Sequence, residues 1–233
     1  MSTAQQERVK SGGLTRRAVV QHALEMGDRE GLEAVTFRRL GEALGVTAMA
    51  VHRHVADRTG LHTAMLAALL EDFDVLAAIA ADLPWTERLR AALLAIHDYN
   101  LKHPVLAELL ITDVPRPPAA WRTTEQLLGL LRTAGLDRAC ASEVASIIMQ
   151  QQVALLLLEA RALRDAPPPE AAALRRELQL LELPGAAFPN IRASAHHLAR
   201  VDGATWRTLA TDIIVRGVMS LVADERAEPG SGE

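Results

Sequence analysis

The sequence predicts an all-α protein, with an N-terminal three-helix helix-turn-helix domain joined to a larger helical domain. Three observations carry that expectation. Hydrophobic residues make up 49% of the 233 and aromatics only 3%; Ala and Leu dominate, and both enter helices at little cost, whereas β-branched and aromatic residues form strands. Apolar residues recur at spacings of three and four. Thr or Asp precedes many of these periodic runs, and Gly or Pro follows them.

The elements follow in order. Met1–Gly13 reads as a disordered tail. Thr15 caps a first helix whose apolar positions are Ala18, Val19, Ala23 and Met26, with Gly27 as its expected stop and Asp28–Gly31 as a polar turn. Thr36 caps Phe37–Leu44, and Gly45 ends it. Thr47 caps a third helix from Ala48 to about Val55. Asp57 caps a fourth, expected to reach about Ala80. After a break at Asp82–Trp85, Thr86–Lys102 is helical, Pro104 precedes a short piece ending near Ile111, and Asp113–Pro118 is loop. Ala119–Thr133 stops at Gly135. Asp137 caps a long helix to about Leu163, and Pro167–Pro169 interrupts the chain. Glu170–Leu183 is amphipathic, Pro184–Asn190 is loop, and Asp202–Val222 closes the fold. The expected division is a tail at 1–13, the helix-turn-helix unit at 14–60, the larger helical domain at 61–223, and a second tail at 224–233.

Net charge is −4, which alone does not suggest a polyanion binder. The split says more: residues 1–60 hold nine Lys/Arg against seven Asp/Glu, the remainder sixteen against twenty-two. A small basic module on an acidic body results. Cys140 is the one cysteine, so no internal disulfide forms, which fits a reducing compartment. Met1–Gly13 lacks the apolar segment of a secretory signal, and the apolar runs, Val153–Leu158 among them, are too short to span a bilayer. The expectation is a cytoplasmic protein with no membrane partner.

The stretch "LGEALGVTAMAVHRHVADRTGL", Leu40–Leu61, carries the function. Two short helices meet at Gly45, which tolerates the positive φ that such a turn needs. Leu40, Leu44, Val46, Val51 and Val55 supply a shared core. The second helix is left to expose His52, Arg53 and the residues of its first turn, Thr47, Ala48 and Met49. A helix of this kind fits the major groove of double-stranded DNA. Arg side chains, Thr hydroxyls and helix N-termini meet phosphates.

These residues, "VTFRRLGEALGVTAMAVHRHVADRTGL", resemble the DNA-binding domain of the TetR family of bacterial repressors. The matching features are Thr36, Leu40-Gly41, Leu44-Gly45-Val46, His54-Val55 and Arg58, and the likeness covers about Leu14 to Leu66. A looser likeness to the tetracycline-repressor-type C-terminal domain runs through "PWTERLRAALLAIHDYNLKHPVLAELL" and "GLDRACASEVASIIMQQQVALLLLEARAL". The resemblance implies DNA contacts from Thr36, Arg38, His52, Arg53, His54 and Arg58, with Arg16 and Arg17 adding phosphate contacts. His52 stands where the family places an aromatic residue, and Arg58 where it places Lys, keeping the charge with a second donor arm. Ala48, Met49 and Ala50 are small or apolar, which suits thymine methyl groups.

The rest of the chain implies a partner and a ligand. The Asp137–Leu163 helix is apolar on several faces, with Ile147, Ile148, Val153 and Leu155–Leu158, and so must be buried on several faces. The last helix carries Leu209, Ile213, Ile214, Val218 and Leu221. The resemblance implies that two such helices per chain pair across a two-fold in a homodimer. It also implies a small apolar or amphipathic inducer that releases the operator by tilting the helix that starts at Arg58. Candidate ligand contacts are His97, Asn100, His103, Gln126 and Gln150. The histidines by which tetracycline repressors hold their drug and its magnesium fall on Asp74 and Leu110, so tetracycline–magnesium is not the expected inducer.

Catalysis finds no support in the pattern. His52 and His54, two apart on a helix, diverge by about 200° and cannot chelate one metal. His196 and His197 diverge as well. No metalloprotease, phosphate-loop or nucleophile-elbow motif occurs, and Cys140 reads as structural. The expectation is no enzyme, no cofactor and no metal. The alternative is a helical binding or adaptor protein without specific DNA affinity.

Overall fold

The computed structural model describes residues 13–71, 73–165, 169–201 and 203–227. Among these residues there are eleven α-helices, one 3-10 turn and no strand. All but Gly13 of the expected N-terminal tail lies outside the described residues, as does 228–233.

Local chemistry sets the first boundaries. α1 (Arg16–Glu30) starts where the Thr15 hydroxyl accepts from Ala18 N–H at 3.2 Å. It runs through Gly27 and ends at Gly31, with φ of 89°. Gly27 is not a stop because its role is contact: a Cβ there would lie 2.5 Å from Val105 Cγ2. After a 3-10 turn, Leu32–Ala34, come α2 (Phe37–Leu44) and α3 (Ala48–His52), capped by Thr36 and Thr47. Gly45 takes the left-handed conformation between them, φ 68°. α3 stops short of Val55 because the turn tightens, with His54 and Val55 N–H both donating to Val51 O.

α4 (Arg58–Leu70) begins at Asp57, whose Oδ1 accepts from Gly60 N–H at 2.7 Å. It ends ten residues before Ala80. Asp74 Oδ1 accepts from Leu76 and Ala77 N–H at 3.0 and 3.1 Å, a local turn that competes with continued helix. α5 (Trp85–Lys102), α6 (Val105–Leu110) and α7 (Ala119–Ala134) follow, α7 closing on Gly135. α8 (Arg138–Asp165) opens with Cys140 N–H donating to Asp137 Oδ1.

α9 (Pro169–Leu181) and α10 (Pro189–Arg200) form a hairpin that packs mainly on itself. α10 occupies part of the expected loop. Its Pro189 sits in the first helical turn, where a missing N–H costs nothing. α11 (Gly203–Ala227) runs into the stretch expected to be a tail.

Two cores hold the chain. The first unites α1–α3 with Leu61, Met65, Leu66 and Leu69 of α4 and with Val105, Leu106 and Leu109 of α6. The N-terminal unit therefore does not end at residue 60: α4 and α6 complete it. The second core joins α5, α7, α8 and α11 through Leu93, Leu131, Ile148 and Val218. Arg138–Glu159 is, by length and composition, long and apolar enough to cross a bilayer, unlike the short run that the sequence brings forward. Its inner stripe, Ala141, Ala145 and Ile148, packs in the second core.

Candidate functional site

The helix-turn-helix geometry rests on a close backbone approach. A Cβ on Gly41 would lie 2.8 Å from Val46 O and 3.0 Å from Ala48 N. Only glycine lets α2 touch the start of α3 in this way. Val46 N–H donates to Gly41 O at 2.9 Å, closing the C-terminus of α2. The outward surface then follows. Arg16, Arg17, Thr36, Arg38, Thr47, Met49, His52, Arg53 and Arg58 are exposed; Ala48 and His54 are half-buried. Met49, at 67% exposure, is a large apolar side chain facing out from the first turn of α3.

Several of these residues also have structural work. The Thr36 and Thr47 oxygens accept from Arg39 and Ala50 N–H, which leaves each hydroxyl proton able to donate. Arg38 pairs with Glu42 at 3.0 Å on a fully accessible helix face, a pair too weak to hold it from a phosphate. Arg39 is engaged with Glu30 at 2.6 Å and with Ala34 O. His52 lies flat on Phe37, and its Nδ1 is 3.1 Å from Ala56 O. One face of its ring is thereby committed to the module's own packing. Arg58 Nε lies 3.5 Å from His62 Nε2; burial, then the Arg58 charge, pushes the His62 pKa down.

The five candidate ligand contacts do not come together. His97 is 2% and Asn100 5% exposed, one turn apart on α5. His103 instead faces the first core, with Nδ1 3.2 Å from Asp28 Oδ2. Gln126 donates to Asp74 Oδ1. Gln150 is exposed. On α8 the inward stripe passes through Ala141, Ala145, Ile148 and Gln152, so a shift of two positions turns Gln150 to the outside. Leu110 packs against the first core.

His97 instead meets partners that the sequence pattern does not mark. Its Nε2 lies 3.0 Å from Glu159 Oε2. Burial lowers its pKa, with Glu159 acting in the opposite direction. Leu93, Gln152, Leu155, Arg207 and Thr211 line a small cavity beside it, about 10 Å³ in volume, the room of a single water. Gln152 Nε2 donates to Leu93 O at 3.1 Å. Arg207 pairs with Asp98 at 2.8 Å, and Arg90 with Asp212, so two ion pairs clamp α11 to α5. The register of α8 marks Gln152; nothing local marks Glu159 or Thr211.

A second hollow, about 490 Å³, opens between α8 and α11 along Leu155, Leu158, Trp206, Leu209 and Ile213. Leu158, Leu209 and Ile213 are each near 60% exposed, an apolar face of the kind that marks an interface. Polar contacts bind α6 to the N-terminal helices within the first core. Asp28 Oδ1 accepts from Val105 N–H at 3.2 Å, and Glu108 Oε2 from Leu32 N–H at 2.8 Å. Tyr99 O–H donates to Leu69 O, and Arg122 to Glu71 O, tying the end of α4 to α5 and α7. Among the described residues no cluster of His, Cys, Asp or Glu is arranged to hold a metal ion.

Residues 81–219 match the family model described as the tetracyclin repressor-like, C-terminal domain. The fold is similar to that of apo ActR from Streptomyces coelicolor, at 25% identity and a TM-score of 0.75, covering 91% of this chain and 97% of that one. ActR in complex with actinorhodin is similar at 25% identity and a TM-score of 0.76, covering 90% and 97%. SCO7222, a TetR from the same organism, matches at 25% identity and a TM-score of 0.70, covering 89% and 99%. No curated protein matches the chain in sequence.

Proposed function

The chain belongs to the TetR family of transcriptional regulators, and on that premise we propose that it is a repressor that binds a palindromic operator as a homodimer and lets go when a small molecule binds. One observation carries the DNA reading: α3, capped by Thr47 and held to α2 at Gly41, presents Met49 and Arg53 outward. Met49 and Ala48 reach thymine methyl groups. Arg16, Arg17, Arg38, Arg53 and Arg58, with the Thr36 and Thr47 hydroxyls and the outer edges of His52 and His54, meet phosphates and position the module.

The apolar face of α8 and α11 is covered by a second copy, whose helices complete a four-helix contact. The two-fold sets the operator: half-sites lie about one helical turn apart, ~34–36 Å. The ligand enters at His97 and Asn100; His103, on Asp28, Gln126, on Asp74, and Gln150, exposed on α8, lie apart from that cavity. ActR has been captured with actinorhodin, and a ligand-responsive relative supports the same design here. Strain at α5 passes to α1 through Asp28 and Val105 and to α4 through Tyr99. A swing of operator occupancy from 99:1 to 1:99 requires the ligand to prefer the released state by about 5.5 kcal/mol. The protein works in the cytoplasm, without cofactor or catalysis.

Selection of bound fragments from a random duplex pool tests the proposal. The expected product is an enriched palindrome whose affinity falls steeply with salt. A pool without enrichment leaves the alternative, a helical binding or adaptor protein.

A further inference from the structure

The cavity at His97 has a polarity of its own. Glu159 Oε2 lies 3.0 Å from His97 Nε2 without making a hydrogen bond to it; an ionised carboxylate so placed favours the tautomer that carries its proton on Nε2. The neutral ring then turns an acceptor, Nδ1, to the interior, and this atom has no hydrogen-bond partner. Asn100, three residues on and on the same side of α5, has a buried Oδ1 that is also unpartnered. Of the donors nearby, Gln152 Nε2 is engaged on Leu93 O and Arg207 on Asp98, while Thr211 also brings a hydroxyl to the cavity. Two buried acceptors and a carboxylate oxygen, His97 Nδ1, Asn100 Oδ1 and Glu159 Oε2, are left without a donor. Leaving an acceptor unsatisfied in such a place is unfavourable. A molecule that brings donors relieves this, and one that brings a carboxylate adds repulsion.

Of these three residues His97 lines the cavity, and its other walls give the rest of the shape. Leu155 and Ala210 belong both to the cavity and to the apolar hollow between α8 and α11. We infer that the ligand is an apolar molecule with a hydrogen-bond-donating end, a hydroxyl or an ammonium, which seats that end between His97, Asn100 and Glu159 and lays its body along Leu155 and Ala210. This rests on the cavity being the inducer site, as proposed above. Because the closed cavity holds about one water, entry displaces α11 from α5, against the Arg207–Asp98 and Arg90–Asp212 pairs.

Four naphthalene probes of one body and different heads separate the outcomes: 2-naphthol, 2-naphthylmethylammonium, 2-methoxynaphthalene and 2-naphthoate. Each is titrated calorimetrically into the full chain and into Asn100→Leu, Glu159→Gln and Ala210→Trp variants whose folding is checked by circular dichroism. Naphthol and the ammonium are expected to bind at least tenfold tighter than the other two. Asn100→Leu should shrink that preference, Glu159→Gln should weaken the ammonium more than the naphthol, and Ala210→Trp should block all binding. If the methoxy or carboxylate probe binds as tightly as the donors and Ala210→Trp still blocks it, the donor preference is wrong while the cavity stands. If no probe binds, or Ala210→Trp leaves binding intact, the inducer site falls and the inference with it.

Discussion

The His52 ring lies on the Phe37 ring with centroids 3.8 Å apart and planes 5° from parallel. The stack ties the end of α3 to the start of α2. His52→Ala removes a stack of about 0.5–1.5 kcal/mol, lowering the melting midpoint by roughly 2–4 °C for a chain of this size. DNA affinity should fall alike on every sequence, and His52→Phe should restore both. A loss of affinity at unchanged midpoint would instead make His52 a direct reader of DNA.

Gly27 and Val105 form a tight junction between α1 and α6. Gly27→Ala should overpack it, costing about 1–3 kcal/mol. Val105→Ala in the same chain should relieve that cost. Denaturant unfolding of the two single variants and the double checks it: a coupling below about 0.5 kcal/mol would show that the helices simply part.

Arg53 stands exposed just past the last turn of α3. Arg53→Ala should weaken operator binding and reduce the slope of log K against log salt by about 0.9 for each phosphate that Arg53 neutralises. Fluorescence anisotropy at several salt concentrations reads both. A changed base preference with an unchanged slope would place Arg53 on a base edge.

Leu209 and Ile213 lie one turn apart on the exposed face of α11. Their double replacement by Glu should give a folded monomer in sedimentation. Affinity for the two-half-site operator should drop on the order of 10²-fold or more, as the linkage of the half-sites is removed. A dimer that survives the change would move the interface elsewhere.

His62 and His97 are both buried, and burial depresses both below the ordinary value of 6.5. Arg58 adds to the effect at His62; Glu159 and Asp98 oppose it at His97, while Arg207 reinforces it. Below 6.5 the unfolded chain binds protons that the fold refuses, so stability is full above that pH and falls beneath it. Thermal midpoints at about pH 7.5 and about pH 5.5, either side of the ordinary histidine value, should show the drop, and a His62→Asn, His97→Asn double variant should flatten it. An unaltered profile in the double variant would assign the drop to carboxylates.

The caps and turns are legible in the sequence because their cause is local. Thr36, Gly45, Thr47 and Asp57 bond to backbone within three or four residues, so the chain around them states its own geometry. What escapes such a reading is long-range. Gly27 reads as a terminator until Val105, far along the chain, is seen against it. Asp74 follows the fourth helix with bonds that compete against a plausible helical pattern. Gln150 and Gln152 differ by about 200° around one axis, and only the packed stripe of α8 tells which is inside. Glu159 carries no mark in its neighbourhood; its meaning comes from His97, on another helix.

Among the described residues, the hairpin of α9 and α10 contributes no side chain to the two cores. A segment so little indebted to its surroundings is free to change length and character while the scaffold keeps working. It is the natural seat for innovation: a graft of foreign sequence between Pro169 and Arg200 should leave both the reader of the double helix and the sensor beneath it undisturbed.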